Sequence, residues 1–366
     1  MKLLILVVDY PRTDGYIQLM YVHVRNKYYI SKGIDVTVLN FKGKDNYMID
    51  GVRVITLEEY EKNNNFQYDI LVCHAPNIRN HYKFITKYEK KFKKIVFFFH
   101  GHEVLKINSI YSKPYHYQKK NSFLKKSIQN IYDSFKLMIW HNYIPKLSYK
   151  SYYIFVSKWM YTEFIMWTKI DEKILLGKYT IINNSVGSLF EKNDYNKFND
   201  KIYDFITIRG NLDGSKYCID IVNSLAKSNP KYSFLVIGKG NFFNYNKIAS
   251  NITWIDETLN HQNIIKFINQ AKCALMLTRT DAQGLMACEM ATFGIPTITS
   301  NIDVCKEIFC EFENIEFIDN ENTTLNLNSL FENIIAKNEK KINKTKKYFS
   351  DETSGLEIEV YKKILE

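Results

Sequence analysis

The sequence predicts an α/β protein made of two doubly wound parallel-sheet domains facing a cleft. Three observations predict it. Short apolar runs alternate with longer amphipathic stretches, as strands joined by helical crossovers do. The alternation stops at the polar interval Glu191–Lys201 and then restarts. The chain has 366 residues, more than one hydrophobic core usually organises.

The first half opens with the run Leu3–Val8, uniformly apolar like a strand covered on both faces. No small-residue cleavage site follows it, so a buried strand explains the run better than a signal peptide. A helix is expected over Tyr16–Lys32 and strands over Asp35–Leu39, Ile70–Cys73, Ile95–Phe99 and Tyr152–Val156. In the second half, strands are expected at Tyr203–Ile208, Ser233–Ile237, Ile252–Ile255, Cys273–Leu277 and Thr297–Thr299. Helices are expected at Ser215–Ser228, Asn263–Ala271 and Gly284–Phe293, then surface helices within Asn320–Lys347 and an amphipathic helix at Leu356–Leu365. The expected domains are residues 1–190 and 191–348, with a terminal helical segment at 349–366.

Composition narrows the function classes. The chain is 46% apolar and 24% charged, a globular balance. No apolar run approaches the roughly 18 residues needed to span a bilayer. Six cysteines are scattered without a CxxC pair, so free thiols in a reducing cytoplasm are expected and a zinc site is not. The net charge of +11 favours anionic partners. Nucleic acid is set aside because no recognition module is present.

Ligands of open parallel sheets sit outside the carboxyl ends of the strands, which directs attention to the segment after Cys273–Leu277, TRTDAQGLMACEMATFGIPTITS. Asp281 lies in a loop leaving a buried strand. Gly284 opens a helix, and the free amides of Gly284, Leu285 and Met286 form a terminus suited to phosphate. Glu289 follows within the first turns and can accept hydrogen bonds from vicinal hydroxyls. Gly294 and Pro296 close the helix. An ordinary strand–loop–helix with a surface Asp and Glu is the plain alternative.

This segment resembles the donor-site signature of glycosyltransferase family 4, within the GT-B fold of two Rossmann-like domains. The signature has two acids separated by seven residues, a Gly after the first, and a small–Gly–x–Pro ending. The resemblance implies that Glu289 binds the nucleotide ribose, Asp281 contacts the transferred sugar, and the amides at Gly284, Leu285 and Met286 bind the diphosphate. The family usually has Glu where Asp281 stands, one methylene longer.

Other matches extend the resemblance. In TIRGNLDGSKYCIDIVNSL, Gly210 and Lys216 fit the family pattern; its usual Arg position holds Asn211, and Arg209 stands two residues earlier as the candidate replacement. A cation here neutralises a leaving diphosphate, although a helix-start lysine on the surface also explains Lys216. FLVIGKGN resembles the strand ending in Gly-x-Gly, through Gly238 and Gly240. Gly15 fits a donor-facing loop after the first strand, or an ordinary turn. In FFFHGHEVL, His100 falls where the family often has His-Gly with a nearby acid, here His102 and Glu103; the implied role is beside the sugar, and a structural histidine is the alternative. His74 of CHAP is a weaker candidate of the same kind. Ser157 reads as a helix N-cap. Asn184, Val186 and Phe190 resemble the interdomain segment, and the terminal helix resembles one that crosses back to the N-terminal domain.

Residues Lys113–Lys150 hold eight lysines and one acid, Asp133. Leu124, Ile128, Ile131, Phe135 and Met138 share one helical face. A helix at 122–141 reads either as lying on anionic lipid or as packed on its domain with the other face solvated.

Together the resemblance implies a retaining, metal-independent glycosyltransferase without a cofactor. It would move sugar from a nucleoside-diphosphate sugar, UDP-linked by default, to a glycan or lipid-linked acceptor in bacterial surface polysaccharide synthesis. It would be cytoplasmic, on the inner face of the cell membrane where it touches lipid. In this family retention proceeds on one sugar face, the donor phosphate helping to deprotonate the acceptor. The competing readings are a GT-B sugar-nucleotide epimerase, a non-catalytic nucleotide- or glycan-binding protein, and an RNA-binding protein.

Overall fold

The computed structural model describes residues 1–63, 66–118, 123–339 and 344–366. The chain divides into two units. The first contains Met1–Ile107, Asn130–Gly187 and Lys347–Glu366; the second contains Asn108–Gln129 and Ser188–Lys346. The main chain thus leaves the first unit at Gly187 and re-enters it at Lys347. Asn108–Gln129, which the sequence alone places in an N-terminal domain of residues 1–190, belongs to the second unit.

In the first unit the strands are β1 (Lys2–Val7), β2 (Asp35–Asn40), β3 (Tyr47–Ile49), β4 (Val52–Ile55), β5 (Ile70–His74), β6 (Lys94–Phe99), β7 (Ser151–Phe155) and β8 (Tyr179–Ile181). They form one sheet in the order β3-β4-β2-β1-β5-β6-β7-β8. All pairings are parallel except the β3–β4 hairpin. Leu3, Ile5 and Val7 on one face of β1 pack with Val36, Val38, Val72, Val96 and Phe98. The hairpin is absent from the sequence reading, yet its signal is there: Asp50 and Gly51 have φ of 48° and 80°, the geometry that Asp-Gly favours between two strands.

The helix Met20–Ser31 starts four residues later than expected. Tyr16–Leu19 stay in the loop after β1, and Leu19 ends that loop in a left-handed conformation, φ 49°. Ser157 does cap the helix Lys158–Thr168, its side chain accepting from the Met160 N–H at 3.1 Å. The last helix, Ser354–Leu365, packs against Met20–Ser31. There Arg25 Nε donates to Glu357 Oε1 at 2.8 Å, both side chains fully buried. The Tyr29 hydroxyl also donates to Glu357 and lies 3.1 Å from the Tyr361 hydroxyl.

In the second unit the strands are β9 (Tyr203–Asn211), β10 (Phe234–Lys239), β11 (Ile252–Ile255), β12 (Ala271–Met276), β13 (Thr297–Ser300) and β14 (Ile315–Ile318). The order is β11-β10-β9-β12-β13-β14, parallel throughout. The first three strands wind one way and the next three the other, so the direction reverses between β9 and β12. A doubly wound sheet opens its ligand crevice at that reversal. Phe205, Phe234, Val236, Cys273, Leu275 and Ile298 anchor the core beneath it.

Candidate active site

The loops leaving β9, β12 and β13 meet above this reversal and line a pocket. Its lining includes Arg209, Thr278, Asp281, Gln283 and Gly284. Three of the residues singled out in the sequence, Arg209, Asp281 and Gly284, therefore share one pocket.

Arg209 lies near the end of β9 and is only 6% exposed. Its Nη2 donates to the Leu277 carbonyl at 2.6 Å, and its guanidinium lies 5.0 Å from the centre of the Tyr217 ring. Its Nε, also buried, has no protein partner. Burial lowers the pKa of the guanidinium, with Asp281 among the charges acting the other way. A buried cation with a spare N–H, facing an acid, is poised to take an anionic or hydroxylated ligand. Gly238 makes this position possible: at φ 152° it approaches so closely that a Cβ there would stand 2.0 Å from the Arg209 carbonyl oxygen.

Gly284 is the N-cap of the helix Leu285–Phe293, not its first residue, with φ 72°. Its carbonyl accepts from the N–H of Ala287 at 2.9 Å and of Cys288 at 3.2 Å. The N–H groups of Gly284, Leu285 and Met286 meet no protein acceptor among the described residues. Asp281 Oδ1 accepts from the Ala282 N–H at 2.9 Å, which stiffens the loop just before them.

Lys216 is carried on a single 3-10 turn, Ser215–Tyr217. The expected helix Ser215–Ser228 is broken at Cys218, φ 58°, and begins again as Ile219–Ser228. The break matters because it turns the Lys216 carbonyl toward the β12 loop, where it accepts from Arg279 N–H at 2.8 Å and Thr278 Oγ1 at 3.1 Å. The Arg279 guanidinium forms a two-pronged pair with Asp220, at 3.0 and 2.7 Å, and donates to the Ser215 carbonyl at 2.6 Å. This fork holds the Lys216 turn against the loop leading to Asp281. The sequence reading passed over Arg279 and Asp220; they lie 59 residues apart, and nothing local marks the pair.

Glu289 does not line the pocket. It is 3% exposed on the buried face of its helix. Its carboxylate oxygen stands 3.7 Å from His261 Nε2, too far for a hydrogen bond. Burial alone pushes its pKa up to about 8, and burial lowers that of His261. At neutral pH both groups are therefore uncharged. Asp281 thus lines the pocket, while Glu289 lies on the buried face of the helix that follows. His261, on the helix His261–Asn269, was missed because its approach to Glu289 is not local.

Gly15 and His100 belong to the first unit. Gly15, at φ 88°, donates to the Arg12 carbonyl at 3.2 Å in the loop after β1. His100 follows β6. Its Nε2 lies 3.2 Å from Nδ1 of the fully buried His74, and its ring 4.6 Å from that of Tyr21. Burial, helped by the Arg25 charge, holds the His100 pKa well below its ordinary value, so the ring is neutral. Glu103 accepts from the backbone N–H groups of His100 and Gly101, which makes it a brace of this loop.

Among the described residues, no group of three or more His, Cys, Asp or Glu side chains is arranged to hold a metal ion. No helix among them is long and apolar enough to cross a membrane.

Comparison with known proteins agrees with this architecture. Residues 210–349 match the family of glycosyl transferases group 1. No curated protein matches the chain in sequence. Among solved structures, sucrose-phosphate synthase from Thermosynechococcus elongatus matches with a TM-score of 0.68 at 11% identity, over 99% of this chain and 98% of that one. HepE of Anabaena, in complex with UDP and glucose, matches with a TM-score of 0.64 at 11% identity, over 99% and 100%. The catalytic domain of starch synthase IV from Arabidopsis thaliana, bound to ADP and acarbose, matches with a TM-score of 0.63 at 11% identity, over 100% and 99%. The chain has the GT-B fold, and its residues 210–349 carry the match to glycosyl transferases group 1 that supports a glycosyltransferase.

Proposed function

We propose that the protein transfers a sugar, with retention of configuration, from a nucleoside-diphosphate sugar to a glycan or lipid-linked acceptor in the synthesis of bacterial surface polysaccharide. The observation that carries this reading is the pocket at the β9–β12 reversal, where Arg209 and Asp281 stand beside the unpaired amides of Gly284, Leu285 and Met286. The donor is UDP-linked by default; HepE, of the same fold, holds UDP and glucose.

The chemistry follows from the charges. The acceptor hydroxyl oxygen bonds to the anomeric carbon, and the bond from that carbon to the β-phosphate oxygen breaks. The hydroxyl proton passes to the departing phosphate, and the nucleoside diphosphate leaves. The free amides, Lys216 and Arg209 stabilise the negative charge that grows on the leaving group. Asp281 holds the sugar hydroxyls. No bound cofactor or metal enters this scheme, because protein groups meet the diphosphate charge.

A panel of nucleotide sugars tests the reading. One of them should raise the melting temperature and be consumed only when an acceptor is supplied. Isomerisation of the donor without transfer would favour an epimerase. Stabilisation by none of the panel would overturn the reading.

We also propose that the helix Phe123–Leu147 rests on an anionic membrane surface from the cytoplasmic side. Leu124, Ile128, Ile131, Phe135 and Met138 are between 52% and 69% exposed. The only acid of the helix, Asp133, is buried and paired with Lys136 at 2.8 Å, and Lys136 also donates to the carbonyls of His102 and Leu105. The outward side of the helix is therefore apolar with Lys125, Lys126 and Lys146 exposed and no carboxylate, a surface matched to anionic lipid. This favours a lipid-linked acceptor. The expected span of 122–141 begins at Ser122, outside the described residues, and the helix runs on to Leu147. Sedimentation with phosphatidylglycerol vesicles should carry the protein down, and Ile131→Ser with Phe135→Ser should release it. Equal sedimentation of both proteins would reject the contact.

A further inference from the structure

The segment Tyr111–Gln118 comes from the first half of the sequence, between strands β6 and β7, yet it is built into the second unit. Its contacts concentrate on the loops that carry the donor residues. Ser112 Oγ lies 2.9 Å from Ser215 Oγ. The Tyr115 hydroxyl donates to Asp220 Oδ1 at 3.0 Å, the carboxylate already forked by Arg279. The Tyr117 hydroxyl donates to Asp213 Oδ1 at 2.6 Å, and that oxygen also accepts the Asn241 N–H at 2.9 Å. The Tyr117 ring stacks on Tyr245, 4.6 Å between centres and 6° from parallel, while Tyr115 packs on Phe242 at 4.8 Å. The segment thus straps the loop after β9 to the loop after β10, and reaches the β12 loop through Asp220 and Arg279.

Its first residue bears on Lys216. The ammonium lies 4.7 Å from the centre of the Tyr217 ring and 5.5 Å from that of Tyr111, inside the range of cation–π attraction. No carboxylate pairs with Lys216 among the described residues. The distinction is chemical. An acidic partner would fix the side chain and cancel its charge; two ring faces fix it and leave the charge for an incoming anion. Tyr217 has Arg209 within 5.0 Å as well, so one ring steadies both cations of the site.

We infer that the Tyr111–Gln118 strap is a positioning element of the donor site, in which Tyr111 and Tyr217 hold the Lys216 ammonium toward the donor diphosphate without neutralising it. The inference rests on the reading of Lys216 as a diphosphate contact. Tyr111 acts through Lys216 and touches no reacting atom.

The test separates the phosphates from the rest of the nucleotide. Affinities for UDP and ADP, and for uridine and adenosine, are measured by calorimetry on the full chain for wild type, Tyr111→Leu and Tyr111→Phe, with melting temperatures alongside. Tyr111→Leu should weaken the diphosphate that wild type binds by about tenfold, the upper part of the range of one desolvated cation–π contact. It should leave the matching nucleoside within about twofold, since the nucleoside carries no charge for Lys216. Tyr111→Phe, which keeps the ring face, should bind as wild type does. In a Lys216→Met background, Tyr111→Leu should cost nothing further, because the contact is already gone. Equal losses for nucleoside and diphosphate, an unchanged diphosphate affinity in Tyr111→Leu, or an undiminished effect in the Lys216→Met background would each overturn the inference. Wild type that binds neither UDP nor ADP would instead remove the donor reading beneath it.

Discussion

Glu289 shows what a single buried carboxyl does to the molecule. In the unfolded chain it titrates near about 4.5; in the folded protein burial moves this to about 8. The folded state therefore holds a proton that the unfolded state loses across that window. The associated stability is full below pH about 4.5 and is lost as pH rises through 8. Glu289→Gln keeps the shape and removes the titration. Its melting temperature should fall less than that of wild type between pH 6 and pH 9; parallel curves would place the carboxyl in water. Lys216 makes a different prediction: Lys216→Met should lower kcat/KM by about 100-fold, as loss of one charge-stabilising group does, while the melting temperature stays near that of wild type. Asp281, Gly284 and Arg209 were singled out from strand-end position and family resemblance, and the three line one pocket next to the chain reversal. His261, Asp220 and the His74–His100 contact were not legible, since each depends on residues brought together from distant parts of the chain.

Secondary-structure elements were legible to the extent that one period explains them. Uniform apolar runs mark the parallel strands. Short elements carry too few turns of pattern, and so β8, β14 and the β3–β4 hairpin escaped. The Ser215–Ser228 region shows a second limit: Cys218 adopts a left-handed backbone with no Gly or Asn to announce it. The helix Phe123–Leu147 shows a third. Its apolar stripe was plain, but periodicity does not say which way a stripe faces. The deciding residues are Asp133 and Lys136, whose buried pair turns the charged side inward. Elements also yield stability predictions. Arg25→Met leaves Glu357 buried without its partner and should cost about 3–5 kcal/mol in urea unfolding. Adding Glu357→Leu should recover much of that loss. Gly238→Ala would drive a methyl group into the Arg209 carbonyl and should destabilise by about 2 kcal/mol or more, with loss of donor binding because Arg209 moves.

At the scale of the molecule, the division into two α/β units followed from the alternation stopping and restarting, whereas the route of the chain between them did not. Asn108–Gln129 belongs to the unit opposite the one sequence order suggests, and Lys347–Glu366 to the first unit. The net charge of +11 also acts at this scale. Binding to anionic vesicles should weaken as salt rises from 50 to 500 mM, roughly the range over which the Debye length falls from above to well below 10 Å. A residue of binding should persist through the apolar stripe, so complete release by salt would argue for charge alone.

The Arg25–Glu357 pair has a consequence for biosynthesis. A growing polypeptide emerges from the ribosome amino end first, and domains ordinarily fold as they emerge. Here the first unit contains a cation, Arg25, whose counter-ion, Glu357, is translated 332 residues later. Until the terminal helix is released, that arginine has a burial site and nothing to balance it. The first unit therefore reaches its final packing only after residues Ser188–Lys346 of the second have been made.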